Sequence, residues 1–376
     1  MKGKLLQISN DFADQKIYVN LVRNLSEQGF HQIVYVPLKW KHKIDWNKDS
    51  TIENVEYFYS YILKRSLLFR LRYFNKINLV TRDVEEKIDL KKVSLVHAHF
   101  LFSDGGVAYK LKKKYGIPYV VSVRASDIFT FFGKMIHLRR FGNKIMEEAE
   151  RVIFINHSYV HILEEKYLQK SFANAIKGKI SIIPNAIDSK WFNVQLKQKE
   201  RTSPFKLLYV GRIVKRKKLD IVLKAVEQLN NNSHSEYHLD VVGEGGFMLE
   251  AQKAPPENVK FHGKITSFDD LLKVYSQCHA FVMPSIKETF GLVYIESLSQ
   301  GLPIIYCKNE GVDGYFEKGE VGMAVNPDST KEIIEAVHHI ELNYQELSKN
   351  AIAASRKFTW DESTEKYISI YKGAVH

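Results

Sequence analysis

The chain has 376 residues, more than one ordinary core supports, so its length predicts two domains of about 150–200 residues. A composition of 45% hydrophobic and 26% charged residues, with 20 Gly and 9 Pro, excludes collagen-like, disordered and coiled-coil classes. The net charge of +12 is lopsided: residues 1–190 carry 32 basic against 19 acidic side chains, and residues 191–376 carry 23 against 24. The two halves are therefore expected to face different partners.

Met1-Lys2-Gly3-Lys4 precedes only Leu5, Leu6, Gln7 and Ile8, too short an apolar stretch for a signal-peptide core. No apolar run approaches the ~18 residues of a membrane span. Cys278 and Cys307 build no disulfide framework, so a reducing, cytosolic compartment is expected.

Short β-type runs alternate with helical stretches. Lys4–Ile8 reads as a strand, Tyr18–Gln28 as a helix closed by Gly29, and Gln32–Val36 as a strand ended by Pro37. Basic residues are densest in Lys64–Phe74 and Lys110–Lys114. The first stretch mixes Lys and Arg with aromatic and aliphatic residues. It reads either as a solvated basic helix face or as a helix lying on an anionic bilayer. No nucleic-acid motif accompanies the charge. Strands follow at Ser94–Ala98, Tyr119–Val123, Val152–Ile155 and Lys179–Ile183, with helices such as Val107–Lys114 and Ile145–Glu150 between them.

The rhythm pauses in the polar stretch after Pro184 and resumes with Lys206–Val210, Leu219–Leu229 (helical), His238–Val242, Asn258–His262, Ala280–Met283 and Pro303–Tyr306. Such alternation predicts α/β architecture with parallel sheets covered on both faces. Residues 191–203 read as a linker between residues 1–190 and 204–357. Ligands of doubly wound sheets sit beyond the carboxyl ends of the strands, so two domains facing across a cleft are expected to hold their functional residues in loops that follow strands.

The segment Phe281–Pro303 carries the strongest signal. A strand ends at Met283, a loop carries Glu288, and a helix opens near Gly291 and closes at Gly301. Glycine at a helix start admits a phosphate to free N–H groups at the positive dipole end. Glu288 and Glu296 bracket that point, suited to accept hydrogen bonds from hydroxyls on either side of the phosphate. Val242-Gly243-Glu244-Gly245-Gly246 is too short for a dinucleotide loop. No Asp-x-Asp run or His/Cys cluster offers a metal site, so no metal is expected.

Glu288 and Glu296 make an E-x7-E signature, and the sequence around them resembles glycosyltransferase family 4, retaining nucleotide-sugar transferases of the GT-B fold. Leu208–Arg212 with Lys217, Val242–Gly245, Phe261–Gly263, Ile183–Asp188, Val96–Phe100 and Phe358–Trp360 resemble further family segments. The resemblance implies two Rossmann-like domains: an acceptor-binding domain, 1–190, completed by a helix at 360–376, and a nucleotide-sugar domain, 204–357.

Carried over residue by residue, Glu288, Arg212 and Lys217 are the implied catalytic set. Glu288 contacts the donor sugar, and the two cations neutralise the departing diphosphate. Read alone, Lys215–Lys218 also admits a solvated basic loop. Glu296 is implied to hold the ribose, with Thr289, Phe290, Gly291, Leu292 and Gly243 completing the donor site. Lys218 stands where the family usually has Gly.

The N-terminal half departs further. Asn10-Asp11-Phe12-Ala13-Asp14 replaces a Gly-Gly loop, and Val121–Asp127 carries Arg124 and Ala125 in place of a His-Gly pair. A guanidinium cannot act as a general base but can bind a phosphate or carboxylate. Asp11, His99, Arg124 and Asp127 are the implied acceptor-side residues. His99 is preferred to His97 because it lies nearer the strand end; either reads also as a core histidine.

The resemblance implies a metal-independent hexosyltransferase without cofactor. Its donor would be a nucleotide-diphosphate sugar, UDP first, and its acceptor a glycan or polyprenyl-linked hydroxyl in surface-polysaccharide assembly. A peripheral position on an anionic membrane is expected, and no nucleic-acid partner. The alternatives are an inactive sugar-nucleotide-binding subunit, an epimerase of related fold, or a phosphorylase.

Overall fold

The computed structural model describes residues 3–63, 72–195, 200–232, 236–253 and 256–375. By contacts the chain divides into two units. The first comprises Met1–Ile155, Tyr159–Asn185 and Trp360–His376, and the second Asn156–Ser158 and Ala186–Thr359.

The first unit is built on β1 (Lys4–Ile8), β2 (Gln32–Leu38), β3 (Val55–Tyr61), β4 (Val93–Ala98), β5 (Tyr119–Val123), β6 (Arg151–Phe154) and β7 (Ile180–Ile182). They form one parallel sheet in the order β3-β2-β1-β4-β5-β6-β7. β2 and β5 are buried throughout, as strands covered on both faces must be. The order reverses between β1 and β4, which sends the crossover helices to opposite faces. The C-terminal helix Trp360–Ala374 closes this unit. Its Tyr367 and Tyr371 enter a core with Leu5, Leu21, Leu25, Leu95 and Val120.

The second unit repeats the plan with β8 (Phe205–Val210), β9 (Tyr237–Val242), β10 (Val259–Gly263), β11 (Ala280–Val282), β12 (Ile304–Cys307) and β13 (Gly322–Val325). The parallel order is β10-β9-β8-β11-β12-β13, with its reversal between β8 and β11.

Several local expectations change. Pro37 does not end β2: it pairs with Ser60, and Leu38 continues the strand. Ser9 N–H reaches the Tyr35 carbonyl and Leu63 N–H the Leu38 carbonyl, so Pro37 turns its nitrogen toward the side where β1 has already stopped. The helix expected over 145–150 runs from Arg139 to Glu148. Ala149 is extended, and Glu150 N–H bonds the Tyr119 carbonyl, aligning the chain beside β5. β3 and β13 were not expected; β3 is half-buried, and β13 is only four residues long.

Trp191, the first residue of the expected linker, is buried edge-to-face against Phe268 and Tyr275 and belongs to the second unit. Residues 196–199 of that stretch lie outside the described residues. So do residues 64–71 of the basic–aromatic stretch, including Arg65 and Arg70. Arg72 caps the helix Tyr73–Lys87, where Tyr73 is buried and Phe74 exposed. The Lys110–Lys114 cluster is a salt-bridged helix face: Lys112 pairs with Glu150, Lys113 with Glu148 and Lys114 with Glu85. Among the described residues no helix is long and apolar enough to cross a membrane.

Candidate functional site

At a topological switch point the loops leaving two adjacent strands run in opposite directions and open a crevice at the carboxyl edge. In the second unit these are the loops after β8 and β11, and they carry Arg212, Lys217 and Glu288. The β8 loop is pinned by the β9 loop: Ile213 N–H bonds the Glu244 carbonyl and Phe247 N–H the Ile213 carbonyl. A Cβ on Gly243 would lie 1.9 Å from the Gly211 oxygen, and one on Gly245 2.2 Å from the Ile213 oxygen. The glycine at 243 is thus required by backbone packing that holds Arg212 in place. Arg212 is exposed, with no side-chain partner among the described residues.

Lys217 is buried and salt-bridged to Glu288, also buried. Desolvation holds the ammonium below the usual lysine range, with Arg216 and Arg212 adding repulsion and Glu288 opposing it. Lys218, in the position of the family's glycine, adopts the left-handed conformation with φ +58°.

The β11 loop is held at both ends. Ile286 N–H bonds the Arg216 carbonyl, tying the two loops together. Lys287 has φ +54° and Gly291 φ +81°, so left-handed turns enclose Glu288, Thr289 and Phe290. Gly291 is the N-cap of the helix Leu292–Ser299, whose first turn has no side-chain cap. A Cβ there would lie 2.5 Å from the Tyr294 ring. The Phe290 side chain is buried against Tyr315 and Phe358, which anchors the loop and leaves only its backbone for a ligand. The arrangement pairs an uncapped helix start with a buried cation, the chemistry that receives a diphosphate.

Glu296 lies on that helix one turn past the site entrance. Burial pushes its carboxyl up to about 7, with Lys190 pulling down and Asp188 pushing up. Glu310 and Gly311 were missed by the sequence reading. Glu310 Oε2 accepts the Glu288 N–H at 3.1 Å, and a Cβ on Gly311 would lie 3.0 Å from the Phe290 oxygen and 3.1 Å from Glu288 Cγ. They follow β12, the next strand in the sheet, which is the signal that could have found them.

In the first unit the switch point falls between β1 and β4. His97 is a core histidine: Nδ1 meets Tyr371 Oη at 2.7 Å and Nε2 meets Ser122 Oγ at 2.9 Å. Its imidazole is desolvated to a pKa of about 3 and stays neutral. His99 is also buried, with Nε2 on Gln7 Oε1 at 2.8 Å, and burial holds it well below the usual range.

Asp127 differs from its acceptor-side expectation. It is fully buried, Oδ1 accepting the Phe102 N–H and Oδ2 the N–H groups of Leu101 and Arg124. Burial raises its pKa to about 6. Buried and holding three backbone N–H groups, it braces this loop. Arg124 donates from Nε to the His99 carbonyl at 3.4 Å and bonds the Tyr367 hydroxyl. Asp11 is half-buried, pushed up by desolvation and pulled down by Lys39, Lys43 and Arg124.

Two doubly wound units, one with a glycine-opened helix start bracketed by carboxylates, define a glycosyltransferase of the GT-B fold. The chain belongs to glycosyltransferase family 4: the model described as Glycosyltransferase Family 4 matches residues 16–191, and that described as Glycosyl transferases group 1 matches residues 193–358. It is 24% identical over 363 residues to an uncharacterized glycosyltransferase of Methanocaldococcus jannaschii, covering 94% of this chain and 92% of that one. It is 26% identical over 381 residues to the alpha-monoglucosyldiacylglycerol synthase of Acholeplasma laidlawii, covering 94% and 91%. The structure of Anabaena HepE in complex with UDP superposes with a TM-score of 0.72 at 16% identity, over 98% of this chain and 99% of that one.

Proposed function

We propose that the chain is a retaining, metal-independent hexosyltransferase that moves a sugar from a UDP-sugar to a hydroxyl of a glycan or lipid-linked acceptor, in surface-polysaccharide or glycoconjugate assembly. The observation that carries this is the buried Lys217–Glu288 pair beside the uncapped helix start at Gly291. UDP is favoured by the HepE structures, solved with UDP and with UDP-glucose. A lipid acceptor is favoured by the name of the Acholeplasma relative.

In this reading the helix start and Lys217 receive the diphosphate, with Arg212 at its exposed side. Glu296 accepts from the ribose hydroxyls and Glu288 from the donor sugar. The acceptor oxygen bonds the anomeric carbon on the face from which the diphosphate leaves. The anomeric C–O bond breaks toward the diphosphate, and the departing oxygen takes the acceptor's proton. Fixed cationic and N–H donors stabilise the charge that develops there.

The loop after β2 supports a membrane surface. Trp40, Ile44 and Trp46 are exposed among Lys39, Lys41, Lys43 and Lys48, aromatic anchors set in positive charge.

The test is a thermal-shift titration with UDP, GDP, ADP and their sugar conjugates, followed by transfer assays on Glu288→Ala and Glu296→Ala. A saturable shift with UDP ligands, weakened in Glu296→Ala, together with loss of transfer in both variants, is expected. Near-wild-type turnover in either variant would sink the assigned roles.

A further inference from the structure

Beneath the β11 loop the protein fills an anion seat with one of its own side chains. Glu310 follows β12, and its Oε2 accepts the Glu288 N–H at 3.1 Å. The same carboxylate accepts from the Lys287 N–H, so it closes over two successive backbone donors. Successive N–H groups around a left-handed residue form a concavity that binds anions.

Lys287 is the reason this loop needs holding. It is exposed and adopts φ +54°, a conformation open to glycine and tolerated by asparagine or aspartate, and unfavourable for a lysine. Such a backbone persists only where its surroundings over-determine it. Relaxation toward the right-handed region would swing the next residue, Glu288, away from Lys217.

The turn that carries Glu310 is fixed in its own right. Lys308 N–H bonds the Val325 carbonyl of β13, and Asn309, at φ +58°, donates its N–H to Asp313 Oδ2 at 2.6 Å. Asp313 N–H returns to the Glu310 carbonyl at 3.0 Å. Gly311, at φ +55°, lets this turn lie against the Phe290 oxygen and Glu288 Cγ. Two left-handed turns are thus joined through the Glu310 carboxylate.

The placement has an electrostatic cost. Burial raises the Glu310 carboxyl above its usual range, and the Glu288 charge adds to this, opposed by the two N–H groups and Lys287. Stability alone gives no reason to set one carboxylate beside another, and departures of this kind concentrate at functional sites.

We propose that Glu310 is a positioning residue for the transfer: it holds the Lys287 and Glu288 N–H groups so that the Glu288 carboxylate stays beside Lys217 and meets the donor sugar. The inference rests on the reading that Glu288 contacts that sugar. Both hydrogen bonds end ahead of the helix start at Gly291, so Glu310 governs the sugar half of the donor and leaves the nucleotide half alone.

Calorimetric titration of the full chain with UDP and with UDP-glucose separates the two halves. The proteins are wild type, Glu310→Ala, Glu310→Gln, Glu288→Ala and the double variant Glu288→Ala/Glu310→Ala, and retained UDP binding shows that each is folded. In Glu310→Ala the Kd for UDP-glucose is expected to rise about tenfold or more, while that for UDP stays within about threefold. Glu310→Gln, whose amide oxygen still accepts an N–H, should recover most of the loss. In the Glu288→Ala background, Glu310→Ala should add less than about twofold, because it acts through Glu288. A UDP-glucose Kd in Glu310→Ala within about twofold of wild type overturns the proposal. Equal weakening of UDP and UDP-glucose overturns it too, since that marks a brace for the loop alone. A loss of the same size with Glu288 already removed has the same consequence. Wild-type protein that binds neither ligand overturns the donor reading instead.

Discussion

Lys217 and Glu288, 71 residues apart in sequence, form a buried salt bridge in the second unit, each side chain about one-tenth exposed. A pair at that depth stabilises little as a pair but penalises the loss of one partner, which leaves the other charge buried and unmatched. Lys217→Met and Glu288→Gln are each expected to destabilise by about 3 kcal/mol, and the double variant by less than the two combined. Urea unfolding measures this. All three variants should lack transfer activity, which separates the structural from the functional role.

In the proposed donor site, Glu296 is expected to make donor affinity pH-dependent. Its folded carboxyl is raised to about 7 by burial, so its contribution to stability is present below the unfolded value near 4.5 and is lost as pH rises through 7. Donor binding has the opposite slope, because an ionised carboxylate is the stronger acceptor for ribose hydroxyls. UDP-glucose affinity, measured calorimetrically, should rise severalfold between pH 6 and pH 8. Its diphosphate is doubly esterified and does not itself titrate there. Glu296→Gln should flatten this profile and weaken binding at pH 8 by about tenfold or more.

Gly291 and Gly301 share left-handed backbones, φ +81° and +71°, at opposite ends of the segment that carries the helix Leu292–Ser299. Alanine at either position should lower stability by roughly 1–3 kcal/mol. Gly291→Ala also drives a methyl into the Tyr294 ring at the helix start. It should reduce kcat/KM at least a hundredfold, whereas Gly301→Ala should leave kcat/KM within about threefold. Equal kinetic losses would remove the helix start from the donor site.

The exposed Trp40 and Trp46 should anchor the first unit to anionic vesicles. The double substitution Trp40→Ala/Trp46→Ala is expected to weaken co-sedimentation with phosphatidylglycerol vesicles about tenfold while leaving the UDP-induced thermal shift intact. Binding that ignores both the tryptophans and the lipid charge would remove the membrane reading.

The sequence alone determined the elements whose cause is local. Strand–helix alternation set the α/β class, and Gly291 and Gly301 marked the ends of a helix. The spacing of Glu288 and Glu296 placed a carboxylate on either side of its start. Pairing between distant segments could not be read that way. Only the tertiary structure set the strand orders that bring the β8 and β11 loops side by side, pair Lys217 with Glu288, and add Glu310 from β12 beneath that loop. It also let Pro37 remain in β2, because the neighbouring strand β1 ends at Ile8, in register with Tyr35 and two residues short of Pro37. It separated residues that look alike in sequence as well: His97 is saturated by Ser122 and Tyr371, while His99 keeps one nitrogen unpartnered. Asp127 is given over to three backbone N–H groups, and Arg124, three residues before it, reaches the His99 carbonyl and the Tyr367 hydroxyl. Periodicity and turn chemistry act over a few residues, whereas burial, ion pairing and unmet hydrogen bonds depend on which distant segments the sheet makes neighbours.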